Sequence, residues 1–162
     1  AEMEEMLSYT LYPPYGQRGF GPQRAIRYGL DDVETYIGEG HINKVCRFVQ
    51  IEHISAVKEI EQIASHPYLD GIIFGPYDLS GSINQLGRPY DTDTTDMIKH
   101  VIKVLKKHGK SVGVSTGSSS PDIIKHWNNL GINMISAGAD YDYVLSGAQK
   151  TLSVLHSVQE ND

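Results

Sequence analysis

The sequence predicts a parallel α/β fold, and three observations predict it. From Lys44 onward, runs of strand character alternate four times with runs of helical character. The strand runs, Gly71-Ile72-Ile73-Phe74 most plainly, are continuously apolar, as strands buried on both faces of a sheet are. Helical runs stop at Gly109 and Gly131, where glycine suits the residue after a helix. Strands separated by helices run parallel through right-handed crossovers.

Each element has a local cause. Residues 1–9 read as the end of a helix, with Met3, Met6 and Leu7 on one face. Residues 11–21 contain Tyr12-Pro13-Pro14-Tyr15-Gly16 and are irregular, because adjacent prolines remove donors and favour extended backbone. A short helix is expected after Pro22, and another after Asp31 with Val33, Tyr36 and Ile37 inward. Residues 45–52 form the first strand, residues 56–65 an amphipathic helix closed before Pro67, and Gly71–Phe74 the second strand. Residues 92–108 form a long helix with Met97, Ile98, Val101, Ile102 and Leu105 inward. Residues 111–116 form the third strand, and Pro121–Leu130 a helix with Ser120 as its N-cap. A fourth strand over 132–137 and a helix over 140–157 complete the order.

An open doubly wound sheet and a barrel both fit this order. Four strand–helix units preceded by a helix amount to half of an eightfold barrel, which in full needs about 250 residues. The expectation is therefore one domain, residues 1–162, forming the later part of a (β/α) barrel whose N-terminal strands lie outside this sequence. A complete four-stranded sheet would instead expose two edge strands.

Composition narrows the function. Lys and Arg number 14 against 20 Asp and Glu, a formal charge of −6. Without a basic stripe, nucleic acid is not an expected partner. No apolar run approaches the roughly 20 residues that span a bilayer, and no basic start followed by an apolar run marks a signal peptide. A membrane partner is not expected either. The single cysteine, Cys46, excludes an internal disulfide and a thiolate metal cluster, and points to a reducing, cytoplasmic compartment.

Reactive groups in parallel α/β proteins gather where strands finish. Glu52 closes the first strand, and Asp78 follows the second through Gly75-Pro76-Tyr77. Neighbouring parallel strands lie about 4.8 Å apart, so the two carboxylates can converge on one cation. Oxygen donors without thiolate favour Mg²⁺ or Mn²⁺. Acids at such positions also cap helices or sit in loops, and spacing alone leaves both readings open. Gly75-Pro76 reads as a tight turn whose N–H groups could also meet an anion.

The runs Tyr12-Pro13-Pro14-Tyr15-Gly16-Gln17-Arg18-Gly19, Gln50-Ile51-Glu52 and Gly75-Pro76-Tyr77-Asp78-Leu79-Ser80, in this order and spacing, resemble the class II metal-dependent 2-oxo-acid aldolases. This HpcH/HpaI aldolase type includes 2-dehydro-3-deoxyglucarate and 4-hydroxy-2-oxoheptanedioate aldolases. Gly131-Ile132 and Gly138-Ala139-Asp140 resemble the family's last strand and the turn after it. The resemblance implies a TIM-type barrel that cleaves a 4-hydroxy-2-oxo acid to pyruvate and an aldehyde through a metal-stabilised enolate. It implies Glu52 and Asp78 as ligands of Mg²⁺ or Mn²⁺, with Gln50 on the bound oxo acid. The Tyr77 backbone N–H would contact the same acid; the family often has a small residue there, so the direction of the ring is left open. A homo-oligomer is implied as well.

The family's base histidine and its arginine belong to early strands outside this sequence, so the catalytic base is unassigned. His53 follows Glu52, but the pleat turns it to the other face. His41, His66, His100, His108, His126 and His156 are expected to be solvated. Lys44 and Lys110 precede their strands, at the wrong end for a Schiff base, and the other lysines fall in helices. Arg18 reads as a residue that positions its loop. Gly19-Phe20-Gly21 follows a loop and lacks the third glycine of a dinucleotide fingerprint. Residues 115–120 read as a capped connecting loop, and Trp127 and most tyrosines as packing or interface residues. Two alternatives stand beside the aldolase: a catalytically silent half-barrel used for binding or assembly, and a lyase acting on an acyl-coenzyme A thioester.

Overall fold

The computed structural model describes residues 2–159; Ala1, part of the expected first helix, lies outside them. Helix α1 (Glu2–Ser8) turns Leu7 into the core. A single 3₁₀ turn (Arg27–Gly29) stands where a helix was expected after Pro22. Asp32 caps α2 (Val33–Thr35) by accepting the Thr35 N–H at 2.7 Å. The chain then widens into a π turn (Tyr36–Gly40), with Gly38 and Gly40 among its residues, before α3 (His41–Lys44).

Strand β1 (Phe48–Ile51) is shorter at both ends than its apolar run; at its start Arg47 turns its side chain into the preceding loop. The expected helix over 56–65 is two pieces, α4 (Ile54–Lys58) and α5 (Ile60–Ala64), broken at Glu59 where φ is −99° and ψ 12°. Strand β2 (Gly71–Phe74) has the expected bounds. Helix α6 (Pro76–Gly81) replaces the expected tight turn, with Pro76 in the first turn where its missing N–H costs nothing. Next come α7 (Thr92–Lys107), β3 (Ser111–Ser115) and α8 (Pro121–Leu130). Gly131 ends α8 in the left-handed region at φ 92°. Strand β4 (Met134–Ser136) and α9 (Asp140–Gln159) follow.

The strands form one parallel sheet in the order β1-β2-β3-β4. One face is the core: Ile51, Ile72, Phe74, Val112 and Val114 pack against Ile98, Val101, Leu105 and Trp127 of α7 and α8. The other face is open, with Gln50, Ser115, Met134 and Ser136 exposed. Burial on both faces, expected from the apolar runs, is therefore not what these residues show. Glycines thin the open face: a Cβ on Gly71 would lie 2.5 Å from the Phe48 ring, and one on Gly113 2.6 Å from Met134 Cε.

A polar knot closes the N-terminal ends of the strands. The buried Arg47 guanidinium donates to Thr10 Oγ1 at 2.8 Å and to the carbonyls of His41 (2.8 Å), Val45 (2.9 Å) and Ile42 (3.2 Å). Such bonds are what a buried cation requires. His41 is not solvated as expected but fully buried: Nε2 accepts the Tyr12 N–H at 3.1 Å, and the ring packs edge-on against Tyr12 at 5.0 Å. A proton on Nε2 would face another donor, and burial holds the His41 pKa below the ordinary histidine range.

That depression has a sign. The unfolded chain takes this proton near about pH 6.5 and the folded chain only at lower pH, so stability is intact above that value and is lost as pH falls below it. Melting temperature is expected to drop between about pH 7.5 and about pH 5.5, and His41→Gln, which keeps an acceptor without a titrating ring, to flatten the slope. An equally steep profile in the variant would remove His41 from the account.

Candidate functional site

The C-terminal ends of β1 and β2 carry the two acids. In the β1–β2 ladder Ile51 lies opposite Phe74, and the Gly75 N–H donates to the Ile51 carbonyl at 3.3 Å. Continuing that register sets Glu52 across from Gly75. Gln50 and Glu52 are two residues apart and share the open face. There Gln50 Nε2 donates to Glu52 Oε2. Both side chains are exposed, as an open site needs.

Asp78 reaches the same end by another route. Helix α6 starts directly after Gly75, and the Leu79 N–H closes its first turn onto the Gly75 carbonyl at 2.8 Å. Asp78 stands exposed in that turn, where the peptide dipoles favour a carboxylate. A second tie binds the two loops: the Ile54 N–H donates to Ser82 Oγ at 3.0 Å, and Ser82 Oγ donates to the Leu79 carbonyl at 2.7 Å. The segments carrying Glu52 and Asp78 are thus joined both through the ladder and through Ser82. Nothing in the sequence marks Ser82, since its partner lies 28 residues away.

Carboxylate oxygens are the donor type that a hard divalent ion takes. Glu52 Oε2 lies directly over Gly75, where a Cβ would come within 2.8 Å of it. Among the described residues no group of three or more His, Cys, Asp and Glu is gathered. Two carboxylates alone would provide part of a shell and leave positions for water or substrate oxygens, as Mg²⁺ in particular prefers.

The remaining expected residues fall in definite places. Burial, with the neighbouring Tyr77 phenol, pushes the Tyr90 pKa up. Tyr90 in turn packs edge-on against His126 at 5.2 Å and beside Trp127 at 5.8 Å on α8. The Tyr77 ring is exposed on the Tyr90 side of the site, a direction the sequence left open. His126 is half-buried in that aromatic group and Trp127 is fully buried, the latter as expected. His53 caps α4, its Nδ1 accepting the Ser55 N–H at 3.2 Å. Arg18 sits 4.9 Å over the Tyr12 ring, in the proline-rich loop at the opposite end of the sheet from Glu52. Lys110 Nζ caps the carbonyls of His66 (3.0 Å) and Leu69 (2.6 Å), before β3. Thr116 Oγ1 bonds Ser118 in both directions, at 2.7 and 3.1 Å, so the serine-rich stretch closes on itself as a loop.

Comparison with known proteins bears on this arrangement. The sequence profile of the HpcH/HpaI aldolase/citrate lyase family matches residues 1–146. A hydroxypyruvate/pyruvate aldolase of Chromohalobacter salexigens is 32% identical over 151 residues, 92% of this chain and 58% of that protein. A 2-keto-3-deoxy-L-rhamnonate aldolase of Escherichia coli is 29% identical over 141 residues, 86% of this chain and 51% of that protein. Among solved structures, an HpcH/HpaI aldolase from Desulfitobacterium hafniense DCB-2 superposes with a TM-score of 0.82 at 22% identity, over 94% of this chain and 58% of its own. An HpcH/HpaI aldolase/citrate lyase family protein from Burkholderia cenocepacia J2315 gives a TM-score of 0.80 at 26% identity, over 93% of this chain and 58% of its own. The chain spans about half the length of the curated relatives it matches, and its strand–helix units form part of a barrel of the TIM type.

Proposed function

Because the chain belongs to the HpcH/HpaI aldolase/citrate lyase family, we propose that it supplies the cation-holding half of a carbon–carbon lyase. The reaction is cleavage of a 4-hydroxy-2-oxo acid to pyruvate and an aldehyde. One observation carries the reading: two acids from different segments are brought to one end of the sheet, on loops tied by the Ile54–Ser82 bond. Relatives named for pyruvate and for a 2-keto-3-deoxy acid support a 2-oxo-acid substrate.

In this proposal Glu52 and Asp78 hold a divalent ion, Mg²⁺ or Mn²⁺. When bound, such an ion supplies Lewis-acid stabilisation of negative charge developing on the oxo acid's oxygens. Gln50 orients Glu52 through its amide and keeps a second N–H and a carbonyl oxygen for the oxo acid. The Tyr77 N–H lies in the first turn of α6, where helix geometry provides no carbonyl four residues back, and is offered to the substrate carboxylate. His53 is committed to its cap. Proton transfer and charge stabilisation by a histidine and an arginine are assigned to the portion of the relatives that this chain does not span.

Titration calorimetry of the 162-residue chain with Mn²⁺ and oxalate, an enolate mimic, tests the proposal. Binding is expected, and Glu52→Ala or Asp78→Ala is expected to abolish it without lowering the melting temperature appreciably. A folded sample that takes up neither ligand would favour the silent half-barrel.

The same reading includes a homo-oligomer. Helix α9 buries none of its residues and leaves Leu145, Leu152, Leu155 and Val158 in water, an apolar exposure larger than isolated surface residues explain. Light scattering is expected to give a mass that is a multiple of 18.0 kDa. A monomer at every concentration would contradict it.

A further inference from the structure

We infer that Gly75 is a positioning residue for the proposed cation site: Glu52 and Gln50 rest on its bare Cα, and any side chain there would push the Glu52 carboxylate out of place. The inference depends on the reading of Glu52 as a ligand, but the geometry behind it does not.

Glycine is not required here by its backbone. Gly75 has φ −100° and ψ 85°, on the side of the map that L-residues occupy, and an extended-type ψ suits the residue before Pro76. What glycine supplies is space. A Cβ at this position would stand 2.8 Å from Glu52 Oε2, 3.1 Å from Gln50 Nε2 and 3.2 Å from Glu52 Cβ. The first is closer than real Cβ atoms approach, and the other two are tighter than ordinary van der Waals contact, which begins at 3.4 Å. Nor can the residue retreat. Its N–H is held by the Ile51 carbonyl at 3.3 Å and its own carbonyl by the Leu79 N–H at 2.8 Å, which pins Cα between the strand ladder and α6.

The side chains must therefore move instead. Glu52 Oε2 and Gln50 Nε2, the two nearest atoms, are the far ends of flexible, exposed side chains and swing away, while Glu52 Cβ, carried by the backbone, has only a few tenths of an ångström to give. Their mutual hydrogen bond, and the direction of the carboxylate, are what is lost. Gly113 on the same face differs in kind, since the group leaning over it is the Met134 methyl, which has no part in the site.

The test compares the full chain with Gly75→Ala, Glu52→Ala and the double variant. The Gln50 side-chain NH₂ pair in ¹H–¹⁵N spectra of Gly75→Ala is expected to move toward its position in Glu52→Ala. Mn²⁺ affinity is expected to fall tenfold or more while the melting temperature changes little. An unmoved Gln50 pair together with wild-type Mn²⁺ affinity would overturn the inference. Should the wild-type chain bind no Mn²⁺, the proposed function fails, and the Gln50 signal still decides the role of Gly75. Should Gly75→Ala melt early, the double variant decides. Gly75→Ala is expected to cost less stability when combined with Glu52→Ala than when made alone, and an equal cost in both backgrounds would overturn the inference.

Discussion

The parallel register between β1 and β2 is the constraint on which the site depends. Ile51 and Phe74 pair across the ladder and both are buried in the helix-covered core. The strand period of two then sends Gln50 and Glu52 to the opposite, open face. A slip of one residue would turn an acid into the core and Ile51 into water, losing about 1.5–3 kcal/mol of side-chain burial before the cost of the buried charge. Apolar packing on one side of the sheet thereby fixes the direction of a carboxylate on the other.

The two ends of the sheet are built differently. At the N-terminal ends, Arg47 and His41 lock the proline-rich loop onto β1 with buried bonds. At the C-terminal ends Gln50, Glu52 and Asp78 are exposed, and the loops beneath them are tied by backbone and serine bonds. This division matches parallel barrels in general, where one end serves stability and the other chemistry. The proline-rich run falls at the stabilising end, with Tyr12 bonded to His41 and Arg18 over the Tyr12 ring.

Local signals make much of this legible. Gly71–Phe74 and Pro121–Leu130 have the bounds that their apolar runs and flanking residues predict. The acids are visible because strand ends can be read from hydrophobic runs. Features that depend on distant partners are hidden. Arg47 sits within an apparent strand, yet its bonds reach Thr10, 37 residues earlier. His41 resembles a loop histidine because its partner, the Tyr12 N–H, lies 29 positions away. Helix α6 reads as a turn in the sequence because Gly75-Pro76 signals both a turn and a helix start. The open face is hidden because apolar strands do not reveal whether a second layer is present. Gly75 reads as a turn residue for its flexibility, whereas its use here is the room it leaves for Glu52.

The central claim is that Glu52 and Asp78 share one cation. Crystals of the chain grown with Mn²⁺ and measured for anomalous scattering address it directly. One peak in coordination contact with both carboxylates is the expected result. Ordered Glu52 and Asp78 side chains without manganese between them, with any manganese bound elsewhere, would contradict it.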